Sequence, residues 1–316
     1  MLLSTRIVTA LMAAMPLAAA MPQQPGGEFC ATDPGEEALK VHRQMLAGDA
    51  SVVEKIEAGK ANLMEAVGLP GASAKGRPSS SAANGAAMNF NTYVHIIQSA
   101  SGTSPSNGYI SKQQIDAQMR VLNQEYALAN VSFNHVNTSY TVNSKWANAV
   151  YPGDDVQTEM KSRLRVGGRL DLNLFYIPTW RGSGVCRFPF WIGENDENLH
   201  IDGCMQSSDS FPDGSQNHRG FLTVHEVGHW MGLLHTFQGG CSDVEGDFVA
   251  DTPAEKGPNW SSAGCPADLD TCPDLPGLDP IENHMDYSHE SCKTGFTAGQ
   301  AKRIRDMVLM YRYANN

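Results

Sequence analysis

The chain has 316 residues, 41% of them hydrophobic and 18% charged, and its formal net charge is −11. This composition is typical of a globular protein of one or two domains with ample length for a core. The sequence contains no run of Lys or Arg, so we expect neither a nucleic-acid partner nor a membrane partner.

The first twenty residues have the pattern of an export signal. Residues 1–6 carry one positive charge, residues 7–17 are mostly apolar, and residues 18–20 are small alanines. The apolar stretch is too short to span a bilayer comfortably, and a buried N-terminal helix is the alternative interpretation. We therefore expect a signal peptide and a secreted, extracellular protein.

A change of composition divides the rest of the chain. Residues 36–45 and 51–67 have helical patterns, whereas residues 71–87 are dominated by Gly, Ala and Ser, which is typical of a flexible linker. The predicted divisions are a signal peptide at 1–20, a pro-segment with its linker at 21–87 and a catalytic domain at 88–316.

Strands and helices alternate from Met88 onward. The predicted elements, in chain order, are strand 90–98, helix 112–127, strand 131–142, helix 155–165, strands 170–177, 185–188 and 199–205, helix 221–232 and a helix beginning at Thr297. Residues 239–294 are rich in Cys, Pro and Asp and have little periodicity. This order predicts an α/β (α+β) fold, with a sheet layer followed by an irregular layer tied by disulfides.

One segment contains three histidines at spacings that suit a metal site. His225 and His229 are four residues apart, so on a helix they share a face and can bind one ion. Gly232 can adopt the left-handed conformation that ends a helix, and the chain can then bring His235 back to the same ion. Three neutral histidines and one open coordination position describe a catalytic zinc site.

Glu226 adjoins His225 and is placed to contact a water on the metal rather than the metal itself. Zinc lowers the pKa of such a water and polarises a carbonyl group. Glu226 would accept the proton as general base and pass it to the leaving amine. The alternative, a helix with surface histidines, does not explain three of them on one face together with the glycine.

The pattern His-Glu-x-x-His-x-x-Gly-x-x-His is that of the metzincin metallopeptidases. With the downstream segment Asn283-His284-Met285-Asp286-Tyr287, it resembles the pappalysin (cytophagalysin) family, and in particular its extracellular fungal members. The resemblance covers roughly residues 88–313. Further matching segments are Phe188-Pro189, Ile201-Asp202-Gly203 and Phe296-Thr297 with Gln300.

This resemblance implies a metzincin catalytic domain divided by an active-site cleft. The upper part would contain a twisted mixed sheet with the motif helix, and the lower part the disulfide-rich loops and the last helix. Met285 would be a structural floor beneath the metal. Tyr287 would be a distant ligand or a donor to the oxyanion, or else a packing aromatic. The implied activity is that of a zinc endopeptidase acting on protein or peptide substrates.

The chain has seven cysteines, an odd number, and disulfides are expected after export. Cys30 lies in Phe29-Cys30-Ala31-Thr32-Asp33-Pro34, where the family often has Cys-Gly-Thr-x-x-Pro, so Ala31 departs from that pattern. One hypothesis makes Cys30 the odd thiol, filling the open zinc position and keeping a precursor latent. The alternative is an ordinary disulfide.

The other six cysteines can be joined in many ways as far as sequence alone decides. Their spacing resembles that of relatives that join the first to the third and the second to the fourth cysteine after the motif. The resemblance therefore implies Cys241–Cys272 and Cys265–Cys292, leaving Cys186–Cys204 to join two neighbouring strands.

Two further features concern modification and a second ion. Asn130, Asn137 and Asn259 each begin an N-x-S sequon, which export would expose to glycosylation, although such tripeptides also occur by chance. Calcium is a second candidate cofactor, since some relatives bind it, and a solvated acidic loop is the alternative. Its candidate ligands are Glu245, Asp247, Asp251 and Thr252.

Two other functions compete with peptide hydrolysis. A catalytically silent secreted binding protein, acting as an inhibitor or effector, would typically lose Glu226 or a zinc histidine, and all of these are present. A zinc hydrolase acting on a non-peptide bond is disfavoured by the combination of the three-histidine motif with the methionine segment.

Overall fold

The computed structural model describes residues 29–30, 32–68, 85–148, 155–179, 183–193, 195–215, 217–259 and 264–314. The predicted signal peptide at 1–20 and most of the linker at 71–87 lie outside these ranges. Within them, no helix is long and apolar enough to cross a membrane.

A mixed sheet of six strands forms the centre of the described structure. The strands are β1 (Phe29–Cys30), β2 (Met88–Gln98), β3 (Val131–Val142), β4 (Asp171–Ile177), β5 (Ser183–Cys186) and β6 (Cys204–Ser207). Their order is β1-β5-β6-β4-β2-β3. Strands β3, β2, β4 and β6 run parallel to one another, β5 is antiparallel to β6, and β1 is parallel to β5.

Helices cover the sheet and link its strands. They are α1 (Gly35–Leu46), α2 (Ala50–Ala66), α3 (Lys112–Glu125), α4 (Ser144–Ala147), α5 (Asp155–Leu164), α6 (Phe221–Trp230) and α7 (Ala298–Val308), the last continued by a π-helical turn, Leu309–Tyr313. Ser111 with Gln114 and Thr297 with Gln300 form capping boxes at the starts of α3 and α7. The predicted mixed α/β fold is confirmed.

Three predicted boundaries differ from the structure. Residues 199–205 do not form one strand, because Leu199–Ile201 is a 3₁₀ turn and β6 begins only after Gly203, whose φ is +104°. The strand predicted at 185–188 is β5, shifted towards the N-terminus, because Pro189 begins another 3₁₀ turn. Helix 221–232 ends at Trp230, two residues before Gly232.

The irregular lower region, residues 239–294, is held by disulfides. The structure joins Cys241 to Cys272 and Cys265 to Cys292, and it joins Cys186 on β5 to Cys204 on β6. These are the pairs implied by the family resemblance. Among the described residues, Cys30 is the free cysteine, and it is buried.

Helix α6 lies in the core, and all of its residues are buried. The rings of Phe90 on β2 and Trp230 meet edge to face with centroids 5.4 Å apart. The hydroxyl of Tyr126 donates to the carbonyl oxygen of Val224 over 2.8 Å. The helix is therefore fixed against both the sheet and the region that follows α3.

Charged side chains from distant segments form hydrogen bonds with backbone groups at both ends of α6. Gly220 offers no side-chain cap, and the Glu290 carboxylate accepts hydrogen bonds from the backbone N–H groups of Phe221 (2.7 Å) and Leu222 (3.0 Å). At the other end, the buried Arg312 guanidinium donates to the carbonyl oxygen of Trp230 over 3.2 Å. A carboxylate at the N-terminus and a cation at the C-terminus both interact favourably with the helix dipole and so stabilise the helix.

Gly232 makes the bend that follows α6. Its φ is +94°, in the left-handed region, and the N–H of Leu233 donates back to the carbonyl oxygen of Gly228 over 2.9 Å. A Cβ at position 232 would lie 2.7 Å from side-chain atoms of Met307. Both the backbone conformation and the packing therefore require glycine here.

We expect Gly232→Ala to lower the free energy of unfolding by more than 2 kcal/mol. The left-handed conformation costs about 1–2 kcal/mol for a residue with a Cβ, and overpacking against Met307 adds about 1–3 kcal/mol. Urea unfolding monitored by tryptophan fluorescence measures the difference. Gly257→Ala is the matched control, because its Cβ would meet nothing within 4 Å. Equal losses in the two variants would contradict this account of the bend.

Candidate active site

His225, His229 and His235 converge on one point, as the motif predicted. The Nε2 atom of His229 lies 3.2 Å from Nε2 of His225 and 3.1 Å from Nε2 of His235. Ligands bound tetrahedrally at about 2.0–2.1 Å are separated by roughly 3.3 Å, so this spacing suits three ligands of one ion. All three side chains are buried.

Hydrogen bonds on the far side of two rings set their tautomers. Nδ1 of His225 donates to the carbonyl oxygen of His284 over 2.7 Å, and Nδ1 of His229 donates to that of Leu233 over 2.8 Å. With the proton on Nδ1, each Nε2 presents a lone pair towards the other. Two facing lone pairs repel each other unless a cation lies between them, so the donor set fits a metal ion.

Burial keeps the three imidazoles neutral. It lowers the pKa of His229 to about 4 and takes those of His225 and His235 well below the ordinary value. The neighbouring histidines and the Lys293 ammonium add to the effect on His225 and His235. Neutral imidazole is the form that binds a metal.

The carboxyl group of Glu226 is buried next to strand β5. Burial raises its pKa to about 8. A Cβ at Gly184 would lie 2.4 Å from Oε1 of Glu226, so only glycine leaves room for the carboxyl group at this point of β5. Thr32 donates to Oε2 over 3.3 Å.

Met285 and Tyr287 lie beside the histidines. A Cβ at Gly228 would lie only 2.5 Å from Sδ of Met285, which places the methionine directly against α6. The Tyr287 ring centroid is 4.9 Å from that of His235, and its hydroxyl donates to the carbonyl oxygen of Cys30 over 2.7 Å.

The segment that contains Cys30 crosses the site. Within the described part of the chain, one group of metal-binding side chains could hold an ion: Cys30, His225, His229 and His235, with ligand atoms all within 4.8 Å of one another. Backbone pairing places Cys30 opposite Gly184 on β5. Thr32 also accepts a hydrogen bond from the N–H of Cys186 over 3.0 Å.

The candidate calcium ligands do not form such a group among the described residues. Asp251 accepts hydrogen bonds from Thr297 (2.7 Å) and the N–H of Gly299 (2.8 Å), so it supports the start of α7. Glu245 pairs with Arg43 at the surface. Asp251 and Glu245 therefore have partners within the chain.

The three sequons differ in accessibility. Asn137 is exposed on β3, and Asn130 is exposed while its amide donates to the carbonyl oxygen of Gly85 over 2.7 Å. Asn259 is buried, and its amide donates to Glu255. Asn259 is therefore the least accessible of the three asparagines.

Four residues at the site were missed by the sequence analysis. Thr32 and Gly184 contact the carboxyl group of Glu226, Glu290 caps α6, and Lys293 lies near the histidines. Thr32 follows Cys30 by two residues, as the threonine does in the family's Cys-Gly-Thr segment, and this local pattern could have indicated it. Gly184, Glu290 and Lys293 contact or influence residues that are far from them in the sequence, so local spacing does not indicate their roles.

Comparisons with known proteins identify relatives. A family profile described as peptidase M43, pregnancy-associated plasma protein-A, matches residues 183–309. An extracellular metalloprotease of Pyricularia oryzae is 43% identical over 235 residues, which cover 73% of this chain and 78% of the relative. One from Podospora anserina is 36% identical over 298 residues, 93% of each chain.

Solved structures of mirolysin are similar to this chain. Mature mirolysin of Tannerella forsythia, in complex with a cleaved peptide, superposes with a TM-score of 0.55 at 26% identity and covers 75% of this chain and 98% of its own. A promirolysin variant has a TM-score of 0.61 at 22% identity, covering 91% and 95% respectively, and this likeness concerns the fold alone. With a buried three-histidine site and relatives of this similarity, the chain belongs to the pappalysin (peptidase M43) family of metalloendopeptidases.

Proposed function

We propose that the chain is the precursor of a secreted zinc endopeptidase in which His225, His229 and His235 hold the metal and Glu226 is the general base. The observation that carries the proposal is the convergence of three Nε2 atoms, that of His229 lying 3.1–3.2 Å from the other two, beside a buried carboxyl group. Relatives named as extracellular metalloproteases support secretion and cleavage of proteins.

Zinc is the metal that the donor set favours. Zinc takes neutral imidazoles in tetrahedral sites, and three protein ligands leave one position open, which is the arrangement of catalytic centres. Bound there, zinc lowers the pKa of a water molecule and polarises the carbonyl group of the substrate.

Glu226 is suited to receive and return a proton. Burial favours its neutral form and raises its pKa to about 8. A metal cation bound beside it would favour the carboxylate, which is the form that accepts a proton. In the described residues its Oε1 has no hydrogen-bond partner and is available to a group in the cleft. As a base it accepts a proton from water, and as an acid it then donates that proton to the leaving amine.

Strand β5 would become the edge of the sheet if β1 left it, and it would then offer a place for an extended peptide. Cys30 already pairs with β5 opposite Gly184, and the N–H of Cys186 donates to Thr32. A substrate strand would replace this segment and use the same backbone groups. That substrates are proteins or peptides is consistent with the mirolysin structure, which contains a cleaved peptide.

Cys30 is proposed to keep the precursor latent. Its Sγ lies within 4.8 Å of each histidine ligand atom, where a thiolate would complete a tetrahedral site. Without a metal, burial and the charge of Glu226 raise the pKa of Cys30, so the thiolate depends on a cation. Two further hydrogen bonds hold this segment in place. Thr32, within the segment, donates to Glu226, and Tyr287 donates to the carbonyl oxygen of Cys30.

We expect Glu226→Ala to abolish casein cleavage by the mature enzyme while the zinc content stays at one ion per chain. The reason is that the change removes the proton acceptor and none of the imidazoles. Zinc analysis and casein hydrolysis are measured on the same sample, with the surface change Glu159→Ala as the control. Retained hydrolysis would refute Glu226 as base. Absence of hydrolysis by the unaltered mature chain would favour a silent binding protein.

We expect Cys30→Ser to make the precursor active before the linker is cut. A serine hydroxyl is a much poorer zinc ligand than a thiolate, so the segment would leave the site more easily. Casein cleavage by the two precursors measures the difference. In the unaltered precursor, thiol labelling should be slow with zinc and faster after chelation. Equal labelling with and without zinc would contradict the latency role.

A further inference from the structure

The outer hydrogen bonds of two site histidines are built differently. Nδ1 of His229 donates to the carbonyl oxygen of Leu233, four residues further along the chain, so this partner is set locally. Nδ1 of His225 donates over 2.7 Å to the carbonyl oxygen of His284, which is 59 residues away in the sequence. The direction of the His225 ring therefore depends on how the fold holds residue 284.

The side chain of His284 is fully buried and held by three neighbours. Its ring packs edge to face against Phe221, with centroids 4.6 Å apart, and against Phe296, with centroids 5.0 Å apart. Nε2 of His284 lies 2.8 Å from Oε2 of Glu125. An ionised carboxylate can only accept a hydrogen bond, so Nε2 carries the proton and donates it. The ring is thus anchored by a charge-assisted hydrogen bond.

Glu125 lies where a carboxylate is ordinarily unfavourable. It is the last residue of α3, so its negative charge is close to the negative end of the helix dipole. Its side chain is only 9% exposed, and a buried carboxylate needs hydrogen-bond donors. The adjacent Gln124 donates to Oε1 over 3.1 Å, and His284 donates to Oε2. The bond to His284 therefore helps to offset both the burial and the position of the charge.

The end of α3 also contacts the helix that carries the metal ligands. The hydroxyl of Tyr126, which follows Glu125, donates over 2.8 Å to the carbonyl oxygen of Val224, which precedes His225. Residues 125 and 126 therefore hold the chain on both sides of the hydrogen bond between His225 and His284. This arrangement fixes the donor and the acceptor of that bond relative to each other.

We propose that Glu125 is a positioning residue for the metal site, because it holds the His284 side chain and thereby the carbonyl oxygen that orients His225 towards the zinc ion. This inference rests on the proposed zinc endopeptidase function. Without Glu125, the ring of His284 and its carbonyl oxygen could shift, and His225 would lose more conformational freedom on binding the ion. The N–H of His284 would still donate to the carbonyl oxygen of Gly295, so the site should loosen and not collapse.

The test measures the zinc affinity of the full chain by competition with a chromophoric chelator. Glu125→Ala should weaken zinc binding by about tenfold or more, which is the usual effect of removing an outer partner of a ligand histidine. Glu125→Gln keeps an oxygen that can accept from Nε2 of His284 and should retain most of the affinity. Asp116→Ala, at an exposed ion pair on the same helix, should leave the affinity unchanged.

His284→Phe tests the other partner of the anchoring bond. Phenylalanine keeps an aromatic ring against Phe221 and Phe296 but has no N–H group. This variant should therefore weaken zinc binding about as much as Glu125→Ala does. Combining the two changes should add little, because both remove the same interaction.

Proton exchange gives a readout that a purely structural role of Glu125 would not move. In the zinc-loaded chain labelled with ¹⁵N-histidine, the Nδ1–H proton of His225 should exchange slowly with solvent, because it is buried and hydrogen-bonded. Glu125→Ala should speed this exchange. The corresponding proton of His229, which is bonded to Leu233, should exchange as before.

Unchanged zinc affinity and unchanged proton exchange in Glu125→Ala and His284→Phe would overturn the positioning role, even if the free energy of unfolding fell. Should Glu125→Ala fail to fold, Glu125→Gln and His284→Phe decide, since equal affinities in these two variants would overturn it. Zinc binding without casein cleavage by the mature chain would instead remove the endopeptidase function, while the affinity comparison would still decide the role of Glu125. A chain that binds no zinc would remove both.

Discussion

The structure depends on a constraint among three neutral imidazoles in the core, where Nε2 of His229 is held 3.1–3.2 Å from Nε2 of His225 and of His235. Such an arrangement is unfavourable unless a cation occupies the centre, and the surrounding fold maintains it. The carbonyl oxygens of His284 and Leu233 fix two tautomers, and the bend at Gly232 returns His235 to the pair. Binding energy of the metal is thus coupled to the stability of α6 and the loops around it.

The proposed pro-segment and substrate would share one groove. Cys30 and Thr32 lie against the three histidines, Glu226 and strand β5 at the same time, so the proposed latency would not depend on a thiol alone. Glu226 is fully buried and accepts a hydrogen bond from Thr32, so its carboxyl group is covered while the segment is in place. Removal of the segment would expose Glu226 and strand β5 together.

Much of the site could be predicted because its signals are local. The spacing of His225, His229 and Gly232 follows from the helix repeat and from the conformational freedom of glycine. Contacts that join distant segments could not be predicted in this way. Glu290 caps a helix that begins 69 residues earlier in the chain, and Lys293 acts on His225 although 68 residues separate the two. The boundaries of β5 and β6 were displaced by turns at Pro189 and Gly203, where tertiary contacts override local pattern.

The central claim is that one zinc ion lies among His225, His229 and His235. Anomalous diffraction from crystals of the mature protein, recorded on both sides of the zinc absorption edge, tests it most directly. The account predicts one strong zinc peak at roughly 2.0–2.1 Å from each of the three Nε2 atoms. The absence of a peak there, or a zinc peak on other side chains with these imidazoles turned apart, would contradict it.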